Sequence, residues 1–357
     1  MNFDYNEEQQ LLADSVRRFL AKDYEFEARR KIVASEDGWS RKVWATFADM
    51  GLTGLAFPTE HGGFGGGAVD LMGIMEAFGE ALVVEPYLPT LMGGLAVARS
   101  PLARSILPAV VEGKMKLAFA HTEKGARYDL RYVQTRARKA GEGWTLEGEK
   151  AGILGAPMAD RIVVSAVAPD GIALFLAENP GAKAYRTVDE MRAADPLFRG
   201  AKAERLEGGI ELIEVLTDFG AALVCAEAVG AMKFACDATL EYLKTRKQFG
   251  VPIGTFQALQ HRMVDMFIAQ EQARSMACLA CSRVDQPTDA KDRARAVSAA
   301  KIKIADSARH ISQESVQLHG GMGMSEELKV SHSFRRLTVI AGQFGDADHH
   351  LARFAAL

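Results

Sequence analysis

Three long runs without proline constrain the fold of this chain more than any other feature. Gly220 to Lys244, Thr255 to Val284 and Ala290 to Leu318 each cover roughly 25 to 30 residues, or about 40 Å of helix at 1.5 Å per residue. Helices of that length with short connections predict an antiparallel bundle. The first connection carries more than a turn requires. Between Thr245 and Gln257 it holds Arg246, Gln248, Phe249, Phe256 and the glycines Gly250 and Gly254. Glycines let backbone approach a ligand closely, an arginine fork suits phosphate oxygens, and aromatic faces suit a flat ring system. The loop therefore predicts a cofactor contact.

The rest of the chain divides by period. Residues 1–116 read as an all-helical domain. Asn6 and Gln9 have capping-box spacing ahead of the amphipathic run Leu11, Leu12, Val16, Phe19, Leu20. The glycine cluster from Gly62 to Gly67 reads as a flexible loop. Near Lys116 the pattern turns to short β-rich runs: Leu117–Ala120, Tyr132–Arg136, Trp144–Leu146, Arg161–Ser165 and Ile172–Leu176. Pro169-Asp170-Gly171 predicts a hairpin between the last two. Residues 117–207 are expected to form a β-barrel-like middle domain, and 208–357 a C-terminal four-helix bundle domain. The fold class is α+β.

Composition narrows the function classes. Of 357 residues, 48% are hydrophobic and 25% charged, as in ordinary globular proteins. A formal net charge of -3 argues against nucleic-acid binding, so an anionic ligand must be held by local cations. No apolar run reaches the roughly 18 to 20 residues of a membrane span. Met1 to Gln10 is acidic and polar, unlike a secretory signal or a transit peptide, which predicts a cytoplasmic protein. Cys278 and Cys281 form a C-x-x-C, but lie in a helical run without a second ligand pair. They read as packed helix cysteines, and no metal is expected.

A second glycine-rich loop, Gln317-Leu318-His319-Gly320-Gly321-Met322-Gly323, closes the third long run. One glycine would end a helix; three suggest backbone lying against a ligand. The layout, Gly51-Leu52 and its glycine-rich loop, His121-Thr122-Glu123, the Arg246 loop and the Gln317 loop resemble acyl-CoA dehydrogenases. These flavoenzymes oxidise the α,β bond of acyl-CoA thioesters. The C-terminal Phe344-Gly345-Asp346-Ala347-Asp348-His349-His350-Leu351 is similar to the small subunit of pimeloyl-CoA dehydrogenase-type heteromers. The resemblance implies FAD at a subunit interface, an acyl-CoA substrate, a larger homologous partner subunit in a heterotetramer, and an electron-transfer flavoprotein as acceptor. It implies that Arg246 holds the pyrophosphate, with Gln248, Phe249 and Phe256 nearby. Gln317, Gly320 and Gly321 would border the ADP half, and Thr122 would contribute from the β domain.

Other positions depart from the family. Its Thr-Glu signature continues through small residues to Ser-Asp, but Thr122-Glu123 is followed by Arg127-Tyr128-Asp129. Its Lys-x-Trp-Ile-Thr becomes Lys150-Ala151-Gly152-Ile153-Leu154. The tryptophan that walls the flavin is Gly152, and the threonine is Leu154. The catalytic base is missing as well. Dehydrogenation needs a carboxylate facing the α carbon. Of the two positions where the family places it, one is Phe344 and the other aligns with Gly220, so no catalytic residue is assigned. Asp218 is the candidate substitute, though an aspartate opening a helix is more often an N-cap. Glu227, inside an apolar helix, reads as half of a structural ion pair. Asp346 and Asp348 read as helix-capping or polar cofactor contacts.

The leading expectation is a base-lacking small subunit that contributes half of an FAD site. The alternatives are a self-sufficient dehydrogenase using Asp218, and a non-catalytic scaffold.

Overall fold

Helix α1 (Glu7–Asp23) begins at the expected box: the Gln9 N–H donates to Asn6 Oδ1 at 2.8 Å and the Asn6 N–H to Gln9 Oε1 at 2.9 Å. The computed structural model describes residues 5–286 and 289–357, so Met1 to Asp4 of the polar opening lie outside the described residues. The helices α2 (Phe26–Ala34), α3 (Arg41–Asp49), α4 (Ala68–Ala81), α5 (Tyr87–Val97) and α6 (Ala103–Val111) follow. The glycine cluster before α4 is a packed turn. A Cβ on Gly63 would stand 2.1 Å from the Phe57 carbonyl oxygen, so glycine is required there by close backbone approach.

The middle domain contains β1 (Leu117–Ala120), β2 (Arg136–Ala140), β3 (Gly143–Glu149), β4 (Ile153–Leu154) and β5 (Arg161–Ala168). It continues with β6 (Gly171–Glu178), β7 (Tyr185–Arg186), β8 (Arg192–Ala194) and β9 (Leu197–Arg205). Six strands run in the order β1-β5-β2-β3-β9-β6, and β6 also pairs with β5, which closes the sheet on itself. Its interior is filled by Leu146, Ile162, Val164, Phe175 and Phe198, all buried. The Pro169–Asp170 turn joins β5 to β6 as expected, with Ala168 opposite Gly171. One expected strand is absent. Tyr132 to Thr135 is loop, because the Glu123 carboxylate takes the Gln134 and Thr135 N–H groups at 2.6 and 3.0 Å. Strands β4, β8 and β7 make a separate three-stranded sheet.

The last part is helical: α7 (Ile210–Thr245), α8 (Gln257–Asp285), α9 (Ala290–His319), α10 (Lys329–Gly342) and α11 (Ala347–Ala355), with the short strands β10 (Lys247–Gln248) and β11 (Val251–Pro252) between α7 and α8. Helix α9 packs on α8, α10 and α11. Among the described residues no helix is long and apolar enough to cross a membrane. Helix α7 starts well before the expected position, and this corrects the reading of Asp218. Leu212, Ile213 and Leu216 are buried, and the Ile213 N–H already bonds Gly209 O at 3.1 Å. Asp218 is therefore a buried residue inside the helix, not its N-cap, and Gly220 is likewise interior.

The chain forms two compact units. One comprises residues 1–30, 68–83 and 221–357; the other comprises 31–67 and 84–220. Within the first, α4 and α7 cross with no side chain between them. A Cβ on Gly79 would fall 1.9 Å from Glu227 O, and one on Gly230 would fall 1.8 Å from Glu76 O. Each helix thus sets a Glu-x-x-Gly step against the other's glutamate carbonyl. The Glu227 side chain finds the expected partner: Arg336 of α10 donates from Nε and Nη2 at 2.6 and 2.7 Å. Cys225, Cys236 and Cys281 are buried and Cys278 is half-buried, all as free thiols. Burial pushes the Cys225 and Cys236 thiols up to about 12, so they are packing residues rather than nucleophiles.

Candidate functional site

Arg246 follows the last turn of α7, its N–H bonded to Tyr242 O at 2.8 Å. The chain then makes a hairpin in which Gln248 pairs with Val251. Phe249 and Gly250 form its tip with φ of 55° and 82°, the two positive values a type I′ turn requires. Holding a phenylalanine in that conformation is uncommon, and here the ring is 91% exposed. Phe256 meets Phe249 edge-to-face, centroids 6.1 Å apart. The Ile253 N–H closes the loop onto Arg246 O at 2.8 Å, and Gln260 Nε2 ties down Gly254 O at 2.9 Å. Gln248 and Arg246 are exposed, and among the described residues no carboxylate pairs with Arg246.

The Gln317 loop stands beside this finger. Tyr242 of α7 stacks on His319 of α9 with centroids 4.5 Å apart. His319 Nδ1 donates to Ser315 O at 2.8 Å, and burial lowers its pKa, so the ring packs as a neutral group. Gln317 is exposed, and Gly320 and Gly321 face open space: a Cβ added at either position would meet nothing within 4 Å. Gly323 is different: a Cβ there would meet Val316 O at 2.4 Å, so its role is structural. The structure thus brings Arg246, Gln248, Phe249, Phe256, Gln317, Gly320 and Gly321 to one end of the bundle.

Thr122 lies in the other unit, exposed, at the exit of β1. Its carbonyl accepts the Ala151 N–H at 2.9 Å, joining the two β-domain signatures. Below them is a buried polar cluster that the sequence reading does not reach. Lys150 Nζ donates to Glu123 Oε1 at 2.7 Å, Ser165 Oγ at 2.9 Å and His121 O at 3.3 Å. Glu123 also accepts from Thr135 Oγ1 at 2.7 Å. Burial pushes Lys150 down to about 8 against the pull of Glu123, and it pushes His121, with Lys150 adding repulsion, down to about 4. Burial opposes ionisation of Glu123, yet Lys150 and the Thr135 donors hold its pKa below the ordinary range. This cluster fixes the backbone of both signatures and leaves its charges inside. Arg127, where the family has a small residue, takes a left-handed turn with φ of 48°. Gly152 has φ of 67° and nothing within 4 Å of its Cβ position. Leu154 packs with Val33, Val84 and Met191.

Phe344 also adopts a left-handed conformation, φ 60°. Its loop is gripped from beneath by His350, whose Nε2 donates to Phe344 O at 3.1 Å while Nδ1 accepts from Ser298 Oγ at 3.3 Å. Lys301 Nζ caps Ile340 O at 2.7 Å. Asp346 is the N-cap of α11, accepting from the His349 N–H at 2.8 Å, which agrees with the capping reading. Burial, with Lys301 and His349 adding repulsion, drives His350 down to about 3. The unfolded chain titrates this histidine near 6.5. As pH falls below that value only the unfolded state gains the proton, and stability is lost progressively until about pH 3. At pH 5 the loss is expected to be on the order of 1 to 2 kcal/mol. Glu76 and Asp285, raised by burial, act in the opposite sense, so the diagnostic quantity is a difference. The drop in melting temperature from pH 7 to pH 5 should be larger for the wild type than for His350→Gln. Equal drops would mean that His350 is not held neutral.

Comparison with known proteins covers nearly the whole chain. The model of the acyl-CoA dehydrogenase N-terminal domain matches residues 6–104, that of the middle domain 118–196, and that of the C-terminal domain 207–356. A 3-(aryl)acrylate reductase of Clostridium sporogenes (strain ATCC 15579) is 29% identical over 94% of this chain and 94% of its own length. The ChsE4–ChsE5 complex from Mycobacterium tuberculosis has a chain 26% identical, with a TM-score of 0.91 over 100% of this chain and 98% of that one. PigA, solved with FAD and proline, is 26% identical with a TM-score of 0.87 over 100% and 98%.

Proposed function

The chain belongs to the acyl-CoA dehydrogenase family, and from that premise we propose that it is a subunit of a heteromeric, FAD-dependent acyl-CoA dehydrogenase. The observation that carries this reading is Arg246, an exposed cation without a carboxylate partner among the described residues, held on a rigid finger beside the open Gly320 and Gly321. A diphosphate needs a permanent cation and backbone that can come close, and these residues fit that need. Arg246 would hold the pyrophosphate of FAD, Gln248, Phe249 and Phe256 would lie alongside it, and Gln317, Gly320 and Gly321 would border the adenosine half. Bound FAD would supply the acceptor for the hydride that leaves the β carbon of the thioester.

This chain's own residues supply binding rather than proton transfer. Phe344 and Gly220 cannot accept a proton, and the carboxylate that removes the α proton comes, in this reading, from a larger homologous partner. An electron-transfer flavoprotein is the proposed electron acceptor. Asp218 is buried and engaged with neighbours inside α7, which suits a structural acid. The test is steady-state dehydrogenation by the assembled complex with an artificial acceptor. Asp218→Asn, which keeps shape and one acceptor oxygen, should leave turnover within a few-fold, whereas loss of a general base costs roughly 10²- to 10⁴-fold. Collapse of turnover with flavin content and assembly intact would make Asp218 the base and the chain self-sufficient.

A further inference from the structure

A bulge in the middle domain gathers positive charge on one face. Strands β2, β3 and β9 lie side by side, and their inner residues Ala137, Leu146, Phe198 and Ala203 fill the core. Residues 199 and 202 are three apart, so an unbroken strand would point them to opposite faces. The register shifts between Leu146 and Glu147. Thr145 pairs with Lys202, Leu146 with Ala201 and Glu147 with Arg199, which leaves Gly200 as the extra residue. Gly200 takes a φ of 67°, the left-handed value that such a bulge uses. Arg199 is thereby returned to the outer face beside Lys202. On β2, Arg138 pairs with Thr145 and Arg136 with Glu147, and residues opposite one another share a face. Arg136, Arg138, Arg199 and Lys202 are all exposed, and among the described residues neither they nor Glu147 make an ion pair. Four cations therefore surround one carboxylate, on a chain whose formal net charge is -3. The face continues along β3 to Glu149, which accepts from Lys124 Nζ at 2.7 Å. Thr145 to Glu149 spans roughly 14 Å at 3.4 Å per residue, so the charged rows run up to the loop that holds Thr122.

We propose that the outer face of β2, β3 and β9 is where the protein electron acceptor docks, through an acidic surface of its own. The inference rests on the dehydrogenase reading above and adds the place and the charge of its redox partner. A small anion needs a cleft that closes around it, whereas these side chains stand on the outside of a sheet. A permanent subunit interface is larger and more apolar; the rows here are charged. Redox partners meet briefly over small areas, and long-range charge raises encounter rates by about 10- to 10³-fold. Arginine, three of the four cations, forks onto carboxylates. Glu147 in their midst repels a surface made only of phosphates and asks for a cation in the partner's patch. A protein surface supplies that mixture; a lipid or nucleic-acid surface does not.

The experiment measures kcat/KM of the assembled enzyme for an electron-transfer flavoprotein and for a small artificial acceptor. Both are run at low salt and at about 0.5 M salt, where the Debye length shrinks to about 4 Å. Arg138→Glu/Lys202→Glu should lower kcat/KM for the flavoprotein about tenfold or more at low salt. At high salt the variant should match the wild type, and turnover with the artificial acceptor should be unchanged throughout. Arg104→Glu/Lys183→Glu makes the same change of net charge at exposed positions off this face and should stay within about threefold. Equal losses in the two variants would mean a response to net charge alone and would overturn the proposal, as would wild-type kinetics in Arg138→Glu/Lys202→Glu. Binding to vesicles containing phosphatidylserine that disappears in this variant, with flavoprotein kinetics unchanged, would assign the face to a membrane instead. A wild-type complex that turns over only with the artificial acceptor overturns the docking inference and leaves the dehydrogenase reading standing. One that is inactive with both acceptors removes that reading and the inference with it.

Discussion

Replacing Arg336 by methionine is expected to destabilise the protein by roughly 3 to 5 kcal/mol, the cost of stranding a buried carboxylate. Glu227 and Arg336 are each 5% exposed, and their two bonds at 2.6 and 2.7 Å form a bidentate fork. Removing the guanidinium leaves both Glu227 oxygens without their donor in a site water barely reaches. The double variant Glu227→Leu/Arg336→Met removes both charges and should recover most of the loss, because well-packed apolar replacements of a buried pair are often near neutral. Denaturant midpoints at constant slope measure both effects. A loss below about 1 kcal/mol for the single variant would mean that the pair behaves as an exposed one.

Arg246→Ala should lower FAD affinity of the assembled enzyme by about tenfold to a hundredfold, equivalent to a charge-assisted bond of roughly 1.5 to 3 kcal/mol. The fold should be untouched, since the side chain is exposed and the loop is held by backbone bonds from Ile253 and by Gln260. The measurement is flavin retained after gel filtration at several protein concentrations, with thermal melts as the control for folding. Unchanged retention would reduce Arg246 to a solvated turn residue and remove the main support for the proposed cofactor contact.

What can be read from the sequence is local, or polar in an apolar place. Asn6 and Gln9 announce a helix start because the box needs only four neighbouring residues. Glu227 announces an ion pair because a lone acid among alanines has few other ways to be buried. The start of α7 is not legible in this way, because Asp218 is a good capping residue, whereas the true first turn at Ile210 has no side-chain cap signal and is secured by Leu212, Ile213 and Leu216 against the interior. Tyr132 to Thr135 has strand composition, but the Gln134 and Thr135 N–H groups go to the Glu123 carboxylate, a side-chain contact that the composition of the run does not announce.

The crossing of α4 and α7 has a consequence for how the chain is made. Ten of the fourteen residues of α4 are buried, so this helix cannot remain solvated by itself. The backbone it must meet, from Glu227 to Gly230, lies about 150 residues later; at roughly 5 to 20 residues per second the ribosome takes about 8 to 30 seconds to deliver it. During that interval the Glu76–Gly79 step of α4 lacks the α7 backbone it packs against. Neither Gly79 nor Gly230 can carry a side chain that would hold the helices apart, so docking is close and leaves no half-formed stop. The vulnerable period of this protein is therefore its synthesis, and yield on rapid overexpression should respond to chaperone supply more than to the stability of the finished molecule.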